Sequence, residues 1–184
     1  MDDQRMVELF WQRDERVIDL VRETYGKLCL RIAYNLLGNA EDVEECENDT
    51  YLAAWNAIPP AKPQSLSAFL GRITRNLALK CYARRTAQKR GGETADLVCE
   101  LREVATADTV EETFDSTHTA ALIDRFLAEE TEEYRRMFVR RYWYGDPLDK
   151  VAAAVGCSES TVKVRLHRQR ERLRTYLQKE GVSV

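Results

Sequence analysis

Residues 145–177 read GDPLDKVAAAVGCSESTVKVRLHRQRERLRTYL, and the order of signals in this stretch decides the fold class. Asp146-Pro147 is a helix start, because a proline in a first turn loses no hydrogen bond by lacking its N–H. Leu148, Val151, Ala152 and Val155 recur at helical spacing and give a short helix one apolar face. The small residues Ala152 to Ala154 permit a second helix to approach closely. Gly156 suits a left-handed turn, where a Cβ is costly, and Ser158 suits the N-cap of a following helix. That helix turns Val162, Leu166, Leu173 and Leu177 inward and spreads cations, among them Arg170, Arg172 and Arg174, over its other faces. The layout is that of a helix-turn-helix. The first half of its second helix is expected at base edges in the major groove, with flanking cations on phosphates. Ser160, Thr161, Lys163, Val164, Arg165, His167 and Arg168 are the expected DNA contacts.

Upstream, nearly everything also reads as helix. Val7, Phe10 and Trp11 open a short amphipathic segment, and Val17, Val21, Tyr25, Leu28, Ile32 and Leu36 continue at steps of three and four. Gly38-Asn39 stops that helix. A third is expected over Ala40–Ala57, with acids crowding the positive end of its dipole. IPPAKPQ, with three prolines in seven residues, is a loop. A long helix then runs over Ser65–Thr86 with Leu66, Phe69, Leu70, Ile73, Leu77 and Tyr82 as its stripe, and Arg72, Arg75, Lys80, Arg84 and Arg85 off it. Composition shifts at Gly91-Gly92 to an acidic, Thr-rich stretch with one short helical turn around Leu97–Leu101. Helices resume over Ala120–Glu129 and Thr131–Trp143. No strand pattern persists. The expected fold is therefore all-α, with helical domains at 1–92 and 118–184 joined by a flexible acidic linker at 93–117.

The net charge of −3 hides a strong alternation. Residues 1–49 hold 13 acidic side chains, and residues 50–92 hold none against eight basic ones, Lys89 and Arg90 included. Residues 93–119 hold eight acidic and one basic, and residues 160–179 seven basic and one acidic. Two basic blocks separated by acid are an electrostatic footprint of nucleic-acid binding, and the acidic segments are placed to shield them in the free chain. The five cysteines form no CxxC pair and the two histidines lie far apart, so no metal site and no cofactor are expected. No nucleophile–base set or phosphate loop argues for an enzyme. No apolar run is long enough to span a bilayer, and the N-terminus MDDQRMVELF lacks a signal-peptide layout, so no stable membrane association and a cytoplasmic location are expected.

Two segments narrow the reading. GNAEDVEECENDTYLAAWNAIPP (38–60) ends an acidic helix in an aromatic-Leu-x-x-Trp cluster, Tyr51-Leu52 with Trp55. SLSAFLGRITRNLALKCYARR (65–85) carries Leu70, Ile73 and Asn76, then Arg84 and Arg85. Together they resemble region 2 of the extracytoplasmic-function (ECF) sigma factors, the bacterial subunits that direct RNA polymerase to promoters. The C-terminal half, with Tyr142, the Gly156 turn and Thr161-Val162-Lys163, resembles region 4 of the same family. The resemblance implies a non-enzymatic sigma factor that binds core RNA polymerase, at its clamp helices and flap, and promoter DNA. It implies docking through Glu44, Glu45, Asn48 and Asp49. It also implies −35 recognition by the C-terminal helix. Recognition and melting of the −10 element fall to the Ile58–Ser67 loop with Lys62, Arg72, Arg75, Asn76, Lys80, Arg84 and Arg85. An anti-sigma factor is implied as a further partner. Asn76 has donor and acceptor on one side chain and suits a base edge. Trp55 and Phe69 are either base-stacking platforms or core, and their helical spacing favours core.

Three positions depart from the family pattern. Glu47 stands where an apolar residue is common, Val164 where a small polar one is, and Gln169 where alanine is. The methyls of Val164 can touch a thymine methyl but cannot hydrogen-bond. A stand-alone helix-turn-helix regulator with an N-terminal sensing or dimerisation domain shares the C-terminal motif, but it leaves the acid-free block and the Asn76 helix unexplained.

Overall fold

The computed structural model describes residues 2–86, 93–102 and 117–182, and among them every regular element is helical. The chain divides into two compact units, Met1–Arg90 and Gly91–Val184. Lys89, Arg90, the Gly91-Gly92 break and stretch 103–116 of the expected linker lie outside the described residues.

The first unit holds α1 (Asp3–Trp11), α2 (Arg16–Leu37), α3 (Ala40–Ala57) and α4 (Leu66–Thr86). Helix α2 ends on Gly38, at φ 71°, whose N–H donates to the Tyr34 carbonyl. Helix α3 has the expected bounds, and Asn39, read from the sequence only as the stop of α2, caps it by accepting from the Asp42 N–H at 2.9 Å. Helices α2, α3 and α4 pack against one another and α1 lies on α2. Their core gathers Met6, Phe10, Val17, Val21, Cys29, Tyr51, Ala54, Ile58, Leu66 and Leu70. Trp55 and Phe69 are partly buried against this core, as their spacing favours.

Two stripes differ from expectation. On α2 the buried line passes through Cys29 and Ala33, and Leu28 is only half-buried. On α4 the buried face is Leu66, Leu70, Thr74, Arg75, Ala78 and Leu79, with Phe69, Ile73, Leu77 and Tyr82 half-buried. The cause is that α4 meets α2 and α3 together, and its α3 side is partly polar: the Thr50 hydroxyl donates to Thr74 Oγ1 at 3.1 Å. Asp3 fastens α1 to this core. One carboxylate oxygen accepts from the Leu66 N–H, the first of α4, at 2.8 Å, and the other accepts from the Tyr25 hydroxyl. Burial, and then the Asp3 bond, push that phenol up to about 12.

The second unit holds α5 (Glu93–Arg102), α6 (Thr117–Glu129), α7 (Glu132–Phe138), α8 (Leu148–Val155) and α9 (Glu159–Lys179). The short turn expected around Leu97–Leu101 is a helix of 10 residues that buries Leu97 and Leu101. The helix expected over Thr131–Trp143 starts on a Thr131 cap, but its second half, Val139–Trp143, widens into a π-helical turn. That turn buries Arg141 and Tyr142. Arg141 Nε donates to Glu100 of α5 at 3.0 Å, and Arg140 pairs with the buried Asp146 at 2.7 Å. Helix α9 packs on α6, α7 and α8 through Val162, Leu166, Leu173 and Leu177, all buried as their spacing predicts. No described helix is long and apolar enough to cross a membrane.

Candidate nucleic-acid and protein interfaces

The helix-turn-helix is built as its sequence dictates. Gly156 takes φ 72° at the end of α8. Ser158 caps α9, accepting from the Thr161 N–H at 3.2 Å. The Ser158 hydroxyl also lies 2.8 Å from the Thr161 hydroxyl, so Thr161 helps to build the cap. Ser160, Lys163, Val164, His167 and Arg168 are exposed along the first three turns of α9.

Other cations of α9 serve the fold. Arg165 is half-buried, ion-paired with Glu133 of α7, and its guanidinium lies 5.7 Å from the centre of the Tyr134 ring. Arg172 covers the same ring at 5.5 Å and pairs with Glu130 at 2.8 Å. Arg170 sits inside, donating to the Tyr142 hydroxyl at 2.7 Å. The Gln169 amide is fully buried and donates to the Tyr134 carbonyl at 3.4 Å, which gives this departure a place in the α7–α9 contact. Of the seven expected contacts, Ser160, Lys163, Val164, His167 and Arg168 are exposed, though the Ser160 hydroxyl also lies 2.9 Å from the Ser158 hydroxyl, while Thr161 and Arg165 are half-buried with intramolecular partners.

In the first unit, Arg72, Asn76, Lys80 and Arg84 follow one another at steps of four, so they form a single ridge along α4. Lys80 and Arg84 are exposed and Arg72 is half-buried, its guanidinium 5.6 Å from the centre of the Phe69 ring. Arg75 departs from expectation: it is only 4% exposed, and its Nη2 donates to Asn76 Oδ1 at 3.0 Å. One residue off the ridge, it falls on the packed face, where its long stem is buried. Arg85 pairs with Asp42 of α3. Lys62, in the loop before α4, is exposed and sits 4.6 Å from the centre of the Trp11 ring of α1. The Trp11 indole N–H in turn donates to the Ala61 carbonyl at 3.3 Å and so pins the loop.

A third surface lies on α3. Glu44, Glu45, Asn48 and Asp49 are all exposed on adjoining helical rows. Leu52, one turn beyond Asn48, is 58% exposed. It borders a shallow cavity of about 330 Å³ shared with Ile18 and Arg22 of α2 and with Tyr51 and Trp55. Leu52 was not among the residues the sequence singled out for docking. The available signal was its place in the Tyr51-Leu52-x-x-Trp55 cluster, where Tyr51 is buried and the leucine beside it must point elsewhere.

Glu47 has a local explanation. Its Oε1 accepts from the Tyr51 hydroxyl at 2.6 Å, and Gly26 of α2 leaves the room: a Cβ there would lie 3.1 Å from that same oxygen.

Comparison with known proteins places two patterns on these units. Sigma-70 region 2 matches residues 21–90, and sigma-70 region 4 matches residues 121–173. The chain is similar to the ECF RNA polymerase sigma factor SigL of Mycobacterium tuberculosis, 30% identical over 163 residues that cover 88% of this chain and 89% of SigL. It is 28% identical over 163 residues to the ECF sigma factor SigE of Mycolicibacterium smegmatis, covering 89% of this chain but only 62% of that protein. It is 24% identical over 168 residues to the ECF sigma factor SigW of Bacillus subtilis, covering 88% and 87%. Among solved structures it is similar to CnrH in complex with the cytosolic domain of CnrY, with TM-score 0.45 and 20% identity over 96% and 97% of the two chains.

Proposed function

The chain belongs to the ECF sigma factors of the sigma-70 family, and from that membership we propose that it joins core RNA polymerase and directs it to a two-part promoter. It is a specificity subunit and not an enzyme; the polymerase makes the RNA. The observation that carries the reading is the order of the two sigma regions on two separate helical units.

In this reading Ser160, Lys163, Val164, His167 and Arg168 face the −35 element. The Ile58–Ser67 loop with Lys62 and the Arg72–Asn76–Lys80–Arg84 ridge handles the −10 element: the cations hold strand phosphates and Asn76 reads a base edge. The carboxylate face of α3, with Leu52 beside it, docks on the polymerase clamp helices, and the second unit meets the flap. An anti-sigma factor covering these faces is the expected antagonist. The place of action is that of polymerase and chromosome, the cytoplasm.

Run-off transcription tests the proposal. Core polymerase plus this chain, offered templates randomised across −35 and −10, is expected to yield products of defined start that core polymerase alone does not. Absence of any such product overturns the reading. Arg168→Ala is expected to weaken −35 dependence and Asn76→Ala to relax −10 selectivity. If both variants keep wild-type selectivity, the residue assignments fail while the family membership stands.

A further inference from the structure

The exposed face of α9 has an apolar pole. Val162, Leu166 and Leu173 point into the unit, and Val164 lies nearly opposite them at 100° per residue. It is 50% exposed, with Ser160 one turn before it, Arg168 one turn after it, and Lys163 and His167 beside it, all exposed. Arg165, the next cation along, is drawn aside by Glu133 and Tyr134. The first turns of α9 therefore offer DNA a pair of methyl groups framed by hydrogen-bonding and charged side chains.

An isolated exposed apolar residue is ordinary on a protein surface. Its position at the centre of the recognition face is what gives this one a role. In the major groove every base edge presents polar atoms that a valine would leave unpaired, and thymine alone adds a methyl that it can pack against. We propose that Val164 is a specificity-determining residue that selects a thymine in the −35 element through its 5-methyl group. This inference rests on the sigma-factor reading above.

The test uses holoenzyme assembled from the full chain and core polymerase. The preferred −35 sequence is first recovered from randomised duplexes. Each −35 thymine, on either strand, is then replaced singly by deoxyuridine, which removes the methyl and keeps the hydrogen-bonding edge. With the wild-type chain one such replacement is expected to weaken promoter binding about fourfold, the worth of one buried methyl-sized group. Val164→Ala is expected to make that same replacement neutral. Val164→Thr, which keeps one methyl, is expected to fall between. The side chain is half-exposed and outside the core, and an unchanged melting curve of each variant confirms that it folds. An equal deoxyuridine penalty in wild type and Val164→Ala overturns the proposal. So does the absence of a penalty at every thymine, or a selected −35 element with no thymine on either strand. Failure to select any promoter sequence at all sinks the parent reading instead, and this one with it.

Discussion

Tyr51 shows how closely single residues are matched in the first unit. Its ring is buried between α2 and α3, and its hydroxyl donates to Glu47. Burial first, and then that carboxylate, push the phenol well above its ordinary range, so it remains a donor at any physiological pH. Tyr51→Phe is expected to cost about 1.5–3 kcal/mol, the net worth of a hydrogen bond to a charged group, measurable as a lowered urea midpoint at unchanged slope. The cysteines divide on the same grounds. Cys46 is 4% exposed, its thiol is pushed up to about 12 by burial, and it donates to the Thr74 carbonyl. Burial also pushes up the thiol of Cys29. Cys99 is exposed. Because the thiolate is the nucleophile, a raised value means less reactive anion at a given pH. Iodoacetamide at mildly alkaline pH is therefore expected to label Cys99 in the native chain and to reach Cys29 and Cys46 only after denaturation, as read by peptide mass spectrometry. At this scale the sequence was partly opaque. Glu47 looked like an anomaly because its partners, Tyr51 one turn on and Gly26 on another helix, are brought together only by the α2–α3 contact.

Helix α4 shows what an element adds. Apolar spacing located it to within one residue of its start, because a proline-rich loop and a serine precede it. Spacing did not locate its buried face, because a stripe drawn from apolar residues alone omits Thr74 and Arg75, which the fold takes inward. The distinction has a measurable consequence. Each phosphate contact contributes about one to the slope of log affinity against log salt. Lys80→Ala and Arg84→Ala, both on the exposed ridge, are each expected to flatten that slope for holoenzyme on a promoter by about one and to leave the fold intact. Arg75→Ala is expected to do the reverse, lowering the melting temperature of the chain while leaving the salt slope unchanged. A flattened slope for Arg75→Ala at wild-type stability would return that residue to the set proposed to contact DNA. The π-helical turn at Val139–Trp143 was not legible at all. Its sequence continues a plain helical pattern, and the widening goes with the inward turn of Arg141 toward an acid far away in sequence.

At the scale of the molecule, that acid decides where the second unit begins. Charge and composition assign Glu100 to an acidic tether, since it stands among eight acids in residues 93–119. Its setting is different: its carboxylate lies 3.0 Å from Nε of Arg141, which is 1% exposed, and 4.0 Å from Arg170. Removing one member of a buried ion pair costs about 3–5 kcal/mol, because the other charge is left without compensation. Glu100 keeps some contact with water, so Glu100→Ala is expected to cost about 2–3 kcal/mol. The loss is expected to stay within Gly91–Val184. Amide hydrogen exchange resolved by peptide should quicken across α5, the π-helical turn and the middle of α9 around Arg170, and remain at wild-type rates in α2 and α3. A paired replacement, Glu100→Leu with Arg141→Met, is expected to recover much of the stability, since apolar side chains of similar size substitute well for a buried ion pair. If Glu100→Ala leaves exchange in the second unit unchanged, α5 contributes nothing to that unit's stability. If it quickens exchange and the paired replacement restores the rates, what reads as linker from composition is the first structural element of the second unit.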